Sequence, residues 1–419
     1  MAFNADIQPF SISVSDQQLE EISKKLSLTR LPDELDLPAG QEWDWGVPLA
    51  VLKPTIEYWR TQYNWRTVEE RLNRTLPQFT TDIETTSNGT QKLHFVHKRS
   101  GNPAAIPLIF VHGWPGNFLE VSKMIDELTN PKDSKSPSFH VVAPSLPGFV
   151  FSQRANSPGM EAQNTAAAFD ALMKKLGYKH YLAQGGDWGA LVCRGFAVYH
   201  QDSCLGTHQN YWFSGAPTFV QNPLLAVKVA LGRVGLPGGY SKQDMEGLKA
   251  AEEFATIGSA YAHVQETRPQ TLAVALTDSP AGLLAWVGEK LHAWTDNYPW
   301  TPEEWITWTM LQRYKGPAGG LRFYKENFPN VAAIRASSIS ESPIGFKWSP
   351  TPFGFSSFPK EIIPVPLEWA ALRQNLVYSK QHTRGGHFAA WEVPELLADD
   401  IRKFAQIARS RDERLRIAS

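Results

Sequence analysis

Asp187 lies in the run Gln184-Gly185-Gly186-Asp187-Trp188-Gly189-Ala190. A short strand-like stretch, His180 to Ala183, precedes it, and a helical stretch, Trp188 to His200, follows. Strand, sharp turn and helix in that order make a nucleophile elbow, a turn that exposes one side chain at the top of a sheet. Glycines flank such a residue because the tight turn has no room for Cβ atoms. A carboxylate at the centre can attack carbon directly and form a covalent ester. Being ionised at neutral pH, it needs no base for that step. An aspartate at a helix start also fits a plain N-cap; the motifs elsewhere in the chain decide against that.

A second candidate is His112-Gly113-Trp114-Pro115-Gly116, directly after the apolar run Ile106 to Val111. In folds built on an elbow, the loop here supplies one backbone N–H to an oxyanion hole, and the residue after the nucleophile supplies the other. The expected donors are the N–H groups of Trp114 and Trp188, which would stabilise a tetrahedral intermediate. The third candidate is Arg384-Gly385-Gly386-His387-Phe388, between a strand-like segment and the last helix. Chain order in such sites runs nucleophile, acid, histidine, so His387 is the expected general base. His112 precedes the elbow, breaks that order and reads as a brace for its own loop. The acid must fall between Asp187 and His387 on a turn after a strand. Glu361, following Thr351 to Phe358, meets that requirement, with Glu368 as its competitor. The other usual acid position, near His208-Gln209-Asn210, carries no carboxylate. An acid there would hold the imidazole tautomer and stabilise the imidazolium.

The elements that must position these groups alternate. Phe79 to Thr85 and Lys92 to His97 read as strands joined by a Ser87-Asn88-Gly89 turn. The continuous apolar runs Ile106 to Val111 and His140 to Ala143 suit parallel strands buried on both faces. Leu119 to Leu128 and residues 163–176 read as helices between strands, so the spacing predicts a doubly wound, mostly parallel α/β sheet. Ahead of it, residues 1–75 form a helical segment expected to pack on the core, opening with Ser15 before Leu19, Ile22 and Leu26. The first part of the core spans 76–215. Residues 216–340 read as a helical, tryptophan-rich cap inserted into it, and 341–419 complete the core, ending in a helix over about Val393 to Ala408.

Composition narrows the function classes. The chain has 419 residues with 41 Lys+Arg against 42 Asp+Glu, a formal net charge of -1. That balance excludes the basic footprint of a nucleic-acid binder. Its 15 Trp, 12 Tyr and 22 Phe furnish a large aromatic core and, with it, material for an apolar pocket. Two cysteines, Cys193 and Cys204, do not make a disulfide framework and read as reduced thiols. The N-terminus lacks the basic and apolar regions of a signal peptide, and no apolar run is long enough for a bilayer span. A cytoplasmic location is the expectation, and the sequons at Asn73 and Asn88 are taken as chance matches.

Together these residues resemble the microsomal-type epoxide hydrolase family. The resemblance covers most of the chain: HGWPG at 112–116, LPGF at 146–149, GGDWGA at 185–190, SAYAHVQETRP at 259–269, RFYKENF at 322–328, FPKE at 358–361 and GGHFAAWEVPELLADDIRKF at 385–404. It implies an α/β-hydrolase fold and the roles of Asp187, Glu361 and His387 given above. It further implies that two cap tyrosines, at the positions of Tyr261 and Tyr324, donate protons to the epoxide oxygen; spacing alone does not single these out among 12 tyrosines. The expected partners are an apolar epoxide and water, without metal, organic cofactor, nucleic acid or membrane anchor. A homodimer is compatible with the sequence. The rival readings are a haloalkane dehalogenase, which would want halide-binding Trp or Asn side chains in place of paired tyrosines, and a non-catalytic binding protein on the same fold.

Overall fold

In the computed structural model, residues 6–133, 135–212, 222–328, 344 and 347–416 are described. Nine strands form one sheet in the order β1-β2-β3-β5-β4-β6-β7-β8-β9. These are β1 (Gln8–Phe10), β2 (Gln78–Thr85), β3 (Gly89–Lys98), β4 (Ile106–Val111), β5 (Phe139–Pro144), β6 (Tyr181–Gly185), β7 (Cys204–Gln209), β8 (Ser349–Ser357) and β9 (Gln374–Gln381). The hairpin of β2 and β3 pairs residue for residue, Phe79 with Phe95 and Thr85 with Gly89. From β5 to β9 every pairing is parallel. Every residue of β4, β5, β6 and β7 is buried, which is why β4 reads as an unbroken apolar run rather than an alternating one.

Helices cover both faces. Ahead of the sheet come α1 (Asp16–Ser27), α2 (Leu49–Thr61) and α3 (Trp65–Thr75). Ser15 caps α1 in a reciprocal capping box with Gln18. Between strands lie α4 (Ile125–Thr129), α5 (Ala162–Lys175) and α6 (Trp188–Tyr199). The helix expected over Leu119 to Leu128 is not continuous. A 3-10 segment, Phe118–Lys123, precedes the short α4. Asn117 explains part of this: its side chain accepts from the Leu119 N–H at 2.9 Å, and its carbonyl accepts from the Glu120 N–H three residues on, which tightens the turn.

Between β7 and β8 the described residues hold α7 (Pro223–Arg233), α8 (Lys242–Glu253), α9 (Ala260–Thr267), α10 (Pro269–Asp278), α11 (Pro280–Ala293), α12 (Pro302–Arg313) and α13 (Ala318–Asn327). A π turn, Phe254–Gly258, joins α8 to α9. The expected cap limits at 216 and 340 lie outside the described residues. The N-terminal helices touch the inserted ones: α1 contacts α11, and α2 contacts α12. Tyr63 Oη and Thr307 Oγ1 are 3.1 Å apart, Arg71 pairs with Glu303 at 2.7 Å, and Lys25 pairs with Asp278. Their apolar residues, among them Leu26, Ile56, Trp59 and Leu72, belong to the same continuous core as the sheet and the inserted helices. Among the described residues no single helix is long and apolar enough to cross a membrane.

Candidate active site

Asp187 sits between β6 and α6 with φ 49° and ψ -128°. That is a region L residues rarely occupy, and it marks a strained turn. Helix α6 fits beneath it because Gly189 lacks a side chain: a Cβ there would stand 2.0 Å from the Val111 carbonyl oxygen. On the other side of the carboxylate, a Cβ on Gly113 would stand 2.1 Å from Asp187 Oδ1. Both glycines are therefore required by close approach. Asp187 makes no side-chain cap to α6, which removes the N-cap reading. Instead its Oδ1 accepts the backbone N–H of Trp114 at 2.7 Å. Trp188 is the first residue of α6, where N–H groups face the preceding turn.

The imidazole of His387 bridges two acids. Its Nε2 is 3.5 Å from Asp187 Oδ2, and its Nδ1 is 2.6 Å from Glu361 Oε1. The Ile362 N–H also donates to Glu361 Oε1, at 2.7 Å. Burial alone would lower the imidazole pKa. The Glu361 charge, the hydrogen bonds to Asp187 and Glu361, and the Asp187 charge override burial and raise it to about 10. Glu368, the competing acid, is 47% exposed and pairs with Lys228, so the structure leaves it out of the site. Asn210, at the other acid position, accepts from Gln184 Nε2 at 2.8 Å and braces the strand before the elbow. His112 also stays out of the chemistry. Its Nε2 accepts the Leu146 N–H at 3.1 Å, so its Nδ1 donates to the Gly113 carbonyl at 2.9 Å. Burial lowers its pKa to about 4 and keeps it neutral.

Tyr261 on α9 and Tyr324 on α13 meet above the elbow, with Tyr324 Oη donating to Tyr261 Oη at 3.4 Å. Both are buried. Aromatic rings fix them. Trp114 stacks on Tyr261 at 5.2 Å and meets Tyr324 edge-on at 5.6 Å, while Trp188 meets Tyr324 at 4.7 Å. Trp294 closes the box, 5.3 Å from Tyr261 and 5.0 Å from His387. Burial pushes both phenols well up, and the Asp187 charge adds to that. Both therefore remain O–H donors.

Two acids that spacing did not point to hold the histidine loop. The Asp296 carboxylate accepts the Gly385 N–H at 2.9 Å, and Glu392 accepts the Gly386 N–H at 3.2 Å and the Asp296 N–H at 2.8 Å. The His387 N–H donates to the Trp294 carbonyl at 2.9 Å. The loop bearing His387 is thus stitched to the segment that follows α11. Burial raises Glu392 to about 7. A further acid, Glu120, lies near Gly113, where burial raises it to about 8. Only the position of Glu392 inside an otherwise apolar run, Phe388 to Val393, hinted at a buried acid.

The arrangement can deliver a carboxylate nucleophile, a base aimed at the same carboxylate and two O–H donors facing it across an apolar box. Comparison with known proteins shows the family. The family model described as epoxide hydrolase N terminus matches residues 7–121, and that of the alpha/beta hydrolase fold matches 106–208. Epoxide hydrolase 1 of Sus scrofa is 34% identical over 429 residues, spanning 96% of this chain and 89% of that protein. Among solved structures, Aspergillus niger epoxide hydrolase superposes with TM-score 0.81 at 31% identity, covering 97% of this chain and 99% of that one. The juvenile hormone epoxide hydrolase of the silkworm Bombyx mori gives 0.84 at 28%, covering 97% and 96%. With its elbow aspartate, its doubly wound sheet and near-complete coverage of these relatives, the chain belongs to the epoxide hydrolase family of the α/β-hydrolase fold.

Proposed function

We propose that the protein converts apolar epoxides to vicinal diols through a covalent ester on Asp187. The observation that carries this is the line Glu361–His387–Asp187 ending beneath a pair of hydrogen-bonded phenols. The Trp114 N–H holds Oδ1, which leaves Oδ2 to attack a ring carbon. As that C–O bond forms and the epoxide C–O bond breaks, charge develops on the leaving oxygen. Tyr261 and Tyr324 hydrogen-bond it, and one of them gives up its proton. His387 then removes a proton from water, which adds to the ester carbonyl carbon. The developing oxyanion on Oδ1 is met by the N–H groups of Trp114 and Trp188. Collapse breaks the bond to the oxygen that had been Oδ2, which takes the remaining hydroxyl proton and leaves in the diol, and restores the carboxylate with one oxygen from water.

Electrostatics order the two steps. In the resting site the charges of Glu361 and Asp187 both hold a proton on His387. Esterification removes the Asp187 charge, so the imidazole pKa falls; its proton passes to the tyrosinate left by ring opening, and the base becomes competent only once there is an ester to hydrolyse. The aromatic box favours uncharged aryl or alkyl epoxides over polar ones. Paired phenols also distinguish this reading from a dehalogenase, because they donate to a leaving alkoxide. The test is a single turnover of styrene oxide in heavy-oxygen water, with mass spectrometry of both diol and protein. Heavy oxygen in Asp187 with an unlabelled first diol is the expected result; labelled diol with unlabelled Asp187 means that water attacks the ring directly.

A further inference from the structure

Away from the catalytic box, a cleft of about 800 Å³ opens between the segment after β5 and the inserted helices. Arg154, Arg268, Arg322 and Lys325 line it, against the single lining carboxylate of Glu326. That excess of cations stands out in a chain whose formal net charge is -1. The Glu326 carboxylate already accepts the Gly159 N–H at 2.7 Å, and Glu161 stands near it. Lys92 and Lys315 extend the cluster: burial, and then the charges of Arg154 and Lys92, depress the Lys315 pKa. Burial, and then the charge of Arg322, depress that of Arg154.

Among the described residues, no carboxylate lies within ion-pair distance of Arg154, Arg268, Lys315, Arg322 or Lys325. Arg154 Nε is out of contact with solvent and has no hydrogen-bond partner among those residues. Arg268, Lys315, Arg322 and Lys325 are exposed, and Arg154 is half-buried among them; a guanidinium partly withdrawn from water beside like charges and without a counter-charge costs stability. An oxyanion would reverse that cost, and guanidinium forks match carboxylate and phosphate geometry. Apolar residues, Pro147, Met160, Pro269 and Phe323, also line it. The cleft therefore suits an anionic head on an apolar body rather than a bare ion.

We propose that this cleft binds an amphiphilic organic anion, a carboxylate or phosphate monoester on a short apolar chain, and that its occupancy alters turnover. The route to the catalytic site is short. Helix α9, which carries Tyr261, ends at the cleft with Thr267 and Arg268. Helix α13 lines it with Phe323 and Lys325, on either side of Tyr324. The Phe323 ring also stands edge-on to Trp188, 5.4 Å away. Binding in the cleft does not depend on the chemistry assigned to Asp187; the effect on turnover rests on the two phenols acting as proposed.

The experiment is calorimetric titration of the full chain with octyl phosphate and octanoate below their micelle concentrations, with inorganic phosphate and 1-octanol as controls. Saturable one-to-one binding is expected for the two amphiphiles, the tighter one identifying the head group, with both controls at least about tenfold weaker. Arg322→Gln, at an exposed position where the guanidinium donates to Gln270 Oε1, should weaken binding about tenfold or more with unchanged melting temperature and unchanged turnover in the absence of amphiphile. Arg154→Gln combined with Arg322→Gln should abolish it. Inhibition or activation of styrene oxide hydrolysis should be non-competitive in the wild type and absent in the double variant. The proposal is overturned by no saturable binding, by binding retained in the double variant, or by inorganic phosphate binding as tightly as octyl phosphate. Competitive inhibition that survives the double substitution also overturns it, because the amphiphile then sits in the catalytic box.

Discussion

Asp187 is held at a positive φ that costs on the order of 1–3 kcal/mol. Such a cost is kept where geometry matters more than stability. Asp187→Ala is therefore expected to lose about 10⁴-fold or more in styrene oxide turnover while its circular dichroism and melting temperature stay near wild type; unfolding would instead make the side chain structural. His387→Gln should form the ester and stop there, visible as one added substrate mass on the intact protein. Normal steady-state turnover in that variant would refute the assignment. The histidine also predicts a pH effect on stability. Its folded pKa, about 10, lies above the ordinary value of about 6.5. Its contribution is thus fully present below about 6.5 and is lost as pH rises through about 10. The melting temperature of the wild type should fall more steeply between pH 7 and 10 than that of His387→Gln. Asp187 and His387 were legible because a turn motif and chain order encode them. The tyrosines were not legible from spacing, since a phenol reports nothing of its facing partner until α9 and α13 are folded together. They came from resemblance alone.

At the scale of elements, β4 announced itself as an unbroken apolar run, and α1 by its capping serine. Less visible were connections made through backbone groups. The loop carrying His387 is tied to the segment after α11 by Asp296, Glu392 and the Trp294 carbonyl. Hydrogen bonds donated by backbone N–H groups to side-chain acids leave no periodicity to read. The tie has a measurable consequence. Glu392→Gln replaces one acceptor oxygen with a donor facing an N–H. The loop loosens, and the hydrolytic half-reaction should slow about tenfold, since small displacements of a base are costly. Alkylation of Asp187 should keep its rate, so the ester accumulates in rapid-quench samples. An equal slowing of both half-reactions would mean general destabilisation instead.

Across the whole molecule, the N-terminal helices are not an appendage. Sequence placed them against the core; the structure shows α1 on α11 and α2 on α12 as well, contacts that no local pattern could announce, because the partners lie more than two hundred residues apart. Removing residues through Thr75 would strip β1 from the sheet edge and bare the apolar faces of α11 and α12. The truncated chain is expected to be insoluble, and a soluble monomer with the wild-type melting temperature would contradict this packing. The same contacts bear on how the protein is made. Helix α2 is complete on the ribosome once Thr61 has emerged, yet its partner α12 ends at Arg313. At about 5–20 residues per second, the first-made helices wait about 10–50 s for the surface they are to cover. Through that interval the nascent chain carries Ile56 and Trp59 without their final neighbours, so the earliest part of the polypeptide is among the last to reach its native setting.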